Sequence, residues 1–263
     1  MIVTIDSLDD PRLSPYRDLT AGRQRADQER DGGYFIAESP KVIRIALEEG
    51  LQPLSLLCEE RHIAGDAADI VARCGRIPIY TGSRQALAAL TGYPLTRGVL
   101  CALQRPKPIE AAALWAVSRR LVVIDGVADS ANVGAIFRAA AALGRDGVLL
   151  TPSSCSPLLR RSVRVSMGAV LQLPWAWAEN PSSTLHAAGF SLIALALSPH
   201  ALPLDSPVLK ALPKTALVLG TEGDGLSPSA LRAADYVARI PMQRGIDSLN
   251  VASAAAVAFW ELR

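Results

Sequence analysis

The chain has 263 residues, half of them hydrophobic, and a formal net charge of +2. That is enough apolar material for one large or two small domains, and it excludes a disordered chain. The near-balanced charge excludes a polycationic nucleic-acid binder, so any contact with RNA or DNA has to come from a local patch.

Residues 11–32 are rich in charge, with Arg12, Arg17, Arg23, Arg25 and Arg30 interleaved with acidic residues. This predicts either a helix that touches phosphates or a solvated helix face. A strand is predicted at 34–37. Ser39 follows as an N-cap with Pro40 at the first helical position, Ile43, Ala46 and Leu47 recur at helical spacing, and Gly50 ends the helix. Strands at 54–58, 77–80 and 98–103 alternate with helices at 69–74 and 83–90, the pattern of a small α/β domain. Arg105, Pro106, Lys107 and Pro108 form a stiff extended connector. The boundary falls there, giving domains 1–107 and 108–263.

The second half restarts with the wholly apolar run 121–124, suited to a buried parallel strand. Asn132 is placed as the cap of a helix carrying Val133, Ile136, Phe137 and Ala140 and stopping near Gly144. Further strands are expected at 148–151, 192–197, 216–219 and 236–240, with a last helix at 250–262 for which Ser248 is the expected cap. The fold class is α/β, with helices on both faces of the second sheet.

Cys58, Cys74, Cys101 and Cys155 have no metal-ligand spacing to each other or to the three histidines. They read as inert thiols, and no metal is expected. The opening residues lack a basic region followed by an apolar run, and no apolar stretch reaches the ~18 residues of a membrane helix. The expectation is a soluble, cytoplasmic protein without a membrane partner.

Three segments place glycines and polar residues where strands end, the usual ligand position of open α/β sheets. The first runs from Asp125 through Asn132 and Gly134 to Arg138. The second is Leu219, Gly220, Thr221, Glu222, Gly223, Asp224 and Gly225, where three glycines allow close backbone approach and a carboxylate sits near a strand end. The third is Ile240, Pro241 and Met242, followed by Gly245 and then Ser248, Leu249 and Asn250.

In order, spacing and residue type these three resemble the SpoU/TrmH family of the SPOUT superfamily, the knotted methyltransferases. The likeness covers the second half from about Leu121 to the end, and the stretch Arg160, Arg161 to Arg164, Ser166, Met167, Gly168 and Ala169 resembles the family's basic segment between its first two motifs. The first half looks like the family's ribosomal-protein-like substrate-binding domain, around Phe35–Glu38 and residues 96–102. Two positions depart from the family pattern. Ser130 stands where proline is usual, and Glu38-Ser39 stands for Glu-Gly.

The resemblance implies an S-adenosyl-L-methionine-dependent RNA ribose 2′-O-methyltransferase with a C-terminal trefoil knot, acting as a homodimer on ribosomal RNA in preference to transfer RNA. It implies Arg138 as catalytic residue together with Asn132, Glu222, Ser248 and Asn250. Cofactor contacts would come from Leu219, Gly220, Thr221, Gly223, Ile240, Met242, Ser248 and Leu249, and RNA contacts from Arg160, Arg161 and Arg164. The family's arginine is sometimes assigned as the base. A guanidinium with a pKa above ~12 is better suited to stabilising a developing alkoxide and a neighbouring phosphate. Methylation of transfer RNA, and a non-catalytic RNA-binding or assembly role on the same scaffold, are the alternatives. Retention of Arg138, Glu222 and the Ser-Leu-Asn segment favours the enzyme.

Overall fold

The computed structural model describes residues 1–19, 33–221, 225–245 and 248–263. The chain divides into two compact units, Met1–Lys107 with Leu158–Leu171, and Pro108–Pro157 with Gln172–Arg263.

The first unit opens with β1 (Ile2–Thr4) and a 3-10 helix at Pro11–Tyr16. It continues through β2 (Tyr34–Glu38), α1 (Pro40–Glu48), β3 (Pro53–Glu59), α2 (Glu60–Ile63), α3 (Ala68–Arg73), β4 (Ile79–Gly82), α4 (Arg84–Thr91) and β5 (Val99–Gln104). The sheet order is β1-β4-β3-β5-β2; β5 runs antiparallel to both its neighbours and the other pairs are parallel. The charge-rich 11–32 stretch begins as the short 3-10 helix, and its remainder lies outside the described residues. Tyr16 ends that helix fully buried. Its hydroxyl donates to the Ser55 carbonyl at 2.7 Å and accepts from the Ala102 amide at 3.1 Å, so one side chain ties the segment to β3 and β5. Burial holds this phenol well above its ordinary range.

Ser39 caps α1 with Pro40 behind it, as expected, but its φ is +95°. Glycine occupies that region without cost and other residues do not, so serine stands here under strain.

The second unit runs through α5 (Ala111–Val117), β6 (Arg120–Ile124), α6 (Ser130–Ala142) and β7 (Gly147–Leu150). Next in the chain come α7 (Arg160–Val165) and α8 (Ala169–Gln172), then β8 (Trp175–Trp177), α9 (Ser182–Ala187), β9 (Ser191–Leu195), β10 (Leu202–Pro203), α10 (Pro207–Lys210), β11 (Thr215–Leu219), α11 (Pro228–Ala233), β12 (Tyr236–Arg239) and α12 (Val251–Glu261). Seven strands form one sheet, β10-β12-β9-β11-β6-β7-β8, and every pair in it is parallel. The central strands read as unbroken apolar runs because both faces are covered. Leu121, Val123, Ala194, Ala216 and Val218 belong to the core of one face. The short edge strands β8 and β10 carry too little pattern to be seen in the sequence.

One boundary needs correction. Residues 158–171, expected within the second domain, pack as part of the first unit. The reason is a buried charge cluster. Glu38 at the end of β2 is 1% exposed and pairs with Arg160 and Arg164 of α7. Arg160 also reaches the Tyr93 hydroxyl at 2.8 Å and the Leu19 carbonyl at 3.2 Å, and it lies 4.4 Å over the Tyr93 ring. A carboxylate taken out of water needs such partners, and periodicity does not reveal which ones it finds.

No helix among the described residues is long and apolar enough to cross a membrane.

Candidate functional site

The site is assembled at the carboxyl ends of the second sheet. After β6 the Asp125 amide donates to the Leu219 carbonyl at 2.8 Å, which holds the β6 and β11 exits together. Asp129 then caps α6, its Oδ1 accepting from Ala131 N at 2.8 Å and Asn132 N at 2.9 Å. Asn132 is therefore in the first turn of α6 and is not its cap, a correction to the expectation. Ser130 is the first helical residue, a position where proline is favoured for its fixed φ, and the Asp129 cap accommodates serine there.

At the exit of β11, Gly220 has no room for a side chain. A Cβ built on it would lie 2.5 Å from the backbone of Gly225 and Leu226. The Thr221 amide donates to the Gly225 carbonyl at 2.9 Å and the Thr221 hydroxyl to the same oxygen at 3.1 Å, closing a tight loop.

The third segment leads into α12, whose cap is Asn250 and not Ser248. Asn250 Oδ1 accepts from Ala252 N at 3.0 Å and Ser253 N at 3.4 Å, while its Nδ2 donates to Asn132 Oδ1 at 3.0 Å. One amide thus starts the last helix and joins it to the first motif. The far end of α12 is anchored by Arg145, a residue the sequence did not single out. It is 4% exposed, donates to the Phe259 and Leu262 carbonyls at 2.7 and 2.9 Å and lies over the Phe259 ring. Burial lowers its guanidinium to about 10.

Between the second and third of these segments and the end of β9 lies a cavity of about 610 Å³. Leu219, Gly220, Thr221, Ile240, Met242, Ser248 and Leu249 all line it, as do Gly225 and Asn250. Leu195 and Leu226 extend its apolar wall, and Arg239 is the one charged residue among the described lining. Glu222 and Gly223 lie outside the described residues.

Arg138 is not in the cavity lining. It is exposed on α6, and among the described residues it makes no hydrogen bond or ion pair. Asn132, expected beside it in the catalytic set, accepts from Asn250 Nδ2. Of the expected RNA contacts, Arg161 is exposed, whereas Arg160 and Arg164 are held by Glu38. Cys58, Cys74 and Cys101 are buried, and burial pushes the Cys58 thiol up to about 11. No group of three His, Cys, Asp or Glu side chains among the described residues is placed to hold a metal.

The all-parallel sheet with a glycine-tightened cleft at its carboxyl ends places the chain in a class of known structures. An AdoMet-bound rRNA methyltransferase from Sinorhizobium meliloti superposes on 100% of this chain and 97% of its own, with a TM-score of 0.80 and 28% identity. The SpoU methyltransferase AviRb from Streptomyces viridochromogenes shares the fold at a TM-score of 0.78 and 23% identity, covering 96% of this chain and 97% of its own. Residues 119–260 match the model of the SpoU rRNA Methylase family, and the chain belongs to that family of RNA methyltransferases. An uncharacterized tRNA/rRNA methyltransferase of Mycobacterium bovis is 41% identical over 96% of this chain and 88% of its own length. A 23S rRNA (guanosine(2553)-2'-O)-methyltransferase of Bacillus subtilis is 26% identical over 98% of both chains.

Proposed function

We propose that the protein transfers a methyl group from S-adenosyl-L-methionine to a ribose 2′-OH of RNA, with ribosomal RNA preferred. The observation that carries this reading is the cavity: seven of the eight expected cofactor residues line it, and the eighth, Gly223, lies outside the described residues. Its size falls within the range of small-molecule sites of roughly 300–1,000 Å³.

The residues suit the cofactor. Leu195, Leu219, Ile240 and Leu249 offer apolar surface to an adenine ring, and the backbone groups around Gly220 and Ile240 can bond its edge. Arg239, which lines the same cavity as Ser248 and Asn250, supplies a cation for the methionine carboxylate. Bound there, the cofactor supplies a sulfonium methyl group for in-line transfer, where positioning contributes much of the rate.

The chain has to place a weak nucleophile and stabilise the charge that develops on it. Arg138 is assigned the second task, and its guanidinium is free of described partners. The Asn132–Asn250 bond sets the α6 motif against the cofactor motif. Glu222 completes the set by the family likeness. The same reading carries a knotted C-terminal chain path, a homodimer as the active form, and the first unit as the RNA-binding domain.

The test is methyl transfer to ribosomal and transfer RNA isolated from a strain lacking the protein, followed by mapping of ribose methylation. Transfer to a base nitrogen, or no transfer to either RNA despite cofactor binding, would sink the reading.

A further inference from the structure

A second cavity, of about 530 Å³, lies on the sheet face that carries α9 and α11. Its floor is apolar and comes from Val123, Leu192 and Val218, with Leu185 of α9 beside them. Its mouth is polar, with Asp125 after β6, Thr151 after β7 and Ser227 after β11.

Topology explains why a crevice stands there. β6 continues outward to β7 and β8, whereas the next strand, β9, lies beyond β11. The chain reverses its direction across the sheet between β6 and β11. That switch point is where open α/β sheets leave a ligand crevice.

The mouth is firmly built. The Gly126 amide donates to Thr151 Oγ1 and to Ser154 Oγ, both at 3.0 Å. Ser227 Oγ donates to Asp125 Oδ2 at 2.8 Å. Among the described residues both donors to Asp125, the Ser227 amide and hydroxyl, reach Oδ2, and none reaches Oδ1. A carboxylate at a strand end accepts a ribose 2′-hydroxyl in dinucleotide sites. Arg232 on the rim adds a cation for a phosphate.

We propose that this crevice binds a ribonucleoside of the RNA substrate next to the methylated one, with Asp125 accepting from its ribose 2′-hydroxyl. The inference rests on the reading that RNA is the substrate. Its location agrees with that role. Thr221, Gly225 and Leu226 line the first cavity, and the next residue, Ser227, lines the second with Ser229, so a single segment borders both. Recognition of the ribose 2′-hydroxyl makes the crevice a discriminator of RNA against DNA.

The direct test titrates the four ribonucleoside 5′-monophosphates, and their 2′-deoxy counterparts, into the methyl-labelled full chain. Methyl resonances of Val123, Leu185, Val218 and Ala230 should shift, with about tenfold weaker binding of the deoxy compounds, as for one lost hydrogen bond to a charged group. Ser183→Trp and Ser229→Trp, at exposed rim positions, should abolish the shifts. Shifts confined to Leu219 and Leu249, or equal affinity for ribo and deoxy forms, overturn the proposal. In methyl transfer, Asp125→Asn and Ser229→Trp should raise KM for RNA about tenfold and leave cofactor affinity unchanged. An unchanged KM in both variants overturns the crevice and leaves the methyltransferase reading standing. A wild type that methylates no RNA but binds ribonucleotides here overturns that reading and supports the crevice as a ribonucleotide site.

Discussion

Asn250 Nδ2 donates to Asn132 Oδ1 at 3.0 Å across 118 residues of chain. The bond joins the first turn of α6 to the cap of α12, and Asn250 uses its other amide atom to start that helix. Capping and bridging can be separated. Asn250→Asp keeps the capping oxygen, and its charge suits a helix N-terminus, but the donor to Asn132 is lost. The variant should melt within a degree or two of wild type and lose most of its transfer activity. Asn250→Ala should in addition cost about 1 kcal/mol of stability. In a double-mutant cycle, Asn132→Ala and Asn250→Ala should be non-additive. Additive losses in kcat/KM would show that the bond does not couple the two motifs.

Arg138→Ala should lower kcat by a factor on the order of 10²–10³, the usual cost of losing a group aimed at developing negative charge. Lysine restores the charge without the planar fork, so Arg138→Lys should recover only part of the rate. Near wild-type turnover by the lysine variant would remove any specific role for the guanidinium.

Gly220→Ala places a methyl group 2.5 Å from the Gly225 and Leu226 backbone, and backbone atoms cannot step aside as a flexible side chain would. The loop closed by Thr221 and Gly225 has to open. Calorimetry should find cofactor binding lost in a chain whose circular dichroism is unchanged. Retained affinity would mean that this loop does not shape the cavity.

Ser39→Gly should stabilise the first unit. The residue holds φ at +95°, a strain of about 1–3 kcal/mol that glycine does not bear. The lost cap is weak, since Ser39 Oγ lies 3.4 Å from Val42 N, and glycine substitutes for serine at caps within a few tenths of a kcal/mol. A rise of several degrees in the unfolding temperature is expected, and Ser39→Val should lower it.

Arg44 grips Asp69 through two bonds of 2.8 Å and holds its carboxyl down at about 2. A carboxylate with a depressed folded pKa contributes stability above its ordinary value near 3.8, and that contribution is lost as pH falls towards 2. Both side chains are largely in water, so the effect on stability is small. The titration itself is the readout: in Arg44→Met, NMR should place the Asp69 midpoint back in the usual carboxylate range.

The alternation of apolar runs and helical spacing was enough to mark most strands, because a buried parallel strand needs an unbroken apolar run and a helix needs a repeating face. The glycine-rich exit of β11 and the segment around Ser248, Leu249 and Asn250 were legible for the same local reason: few backbones tolerate such turns, and few residues fill them. Tertiary structure decided what lies between distant residues. That Asn250 caps while Asn132 only receives depends on where two chain ends meet. That Arg160 and Arg164 neutralise Glu38, and so draw 158–171 into the first unit, depends on a buried carboxylate finding its partners. Arg145 anchors the last helix through carbonyl oxygens, groups that every residue carries and no sequence pattern can single out.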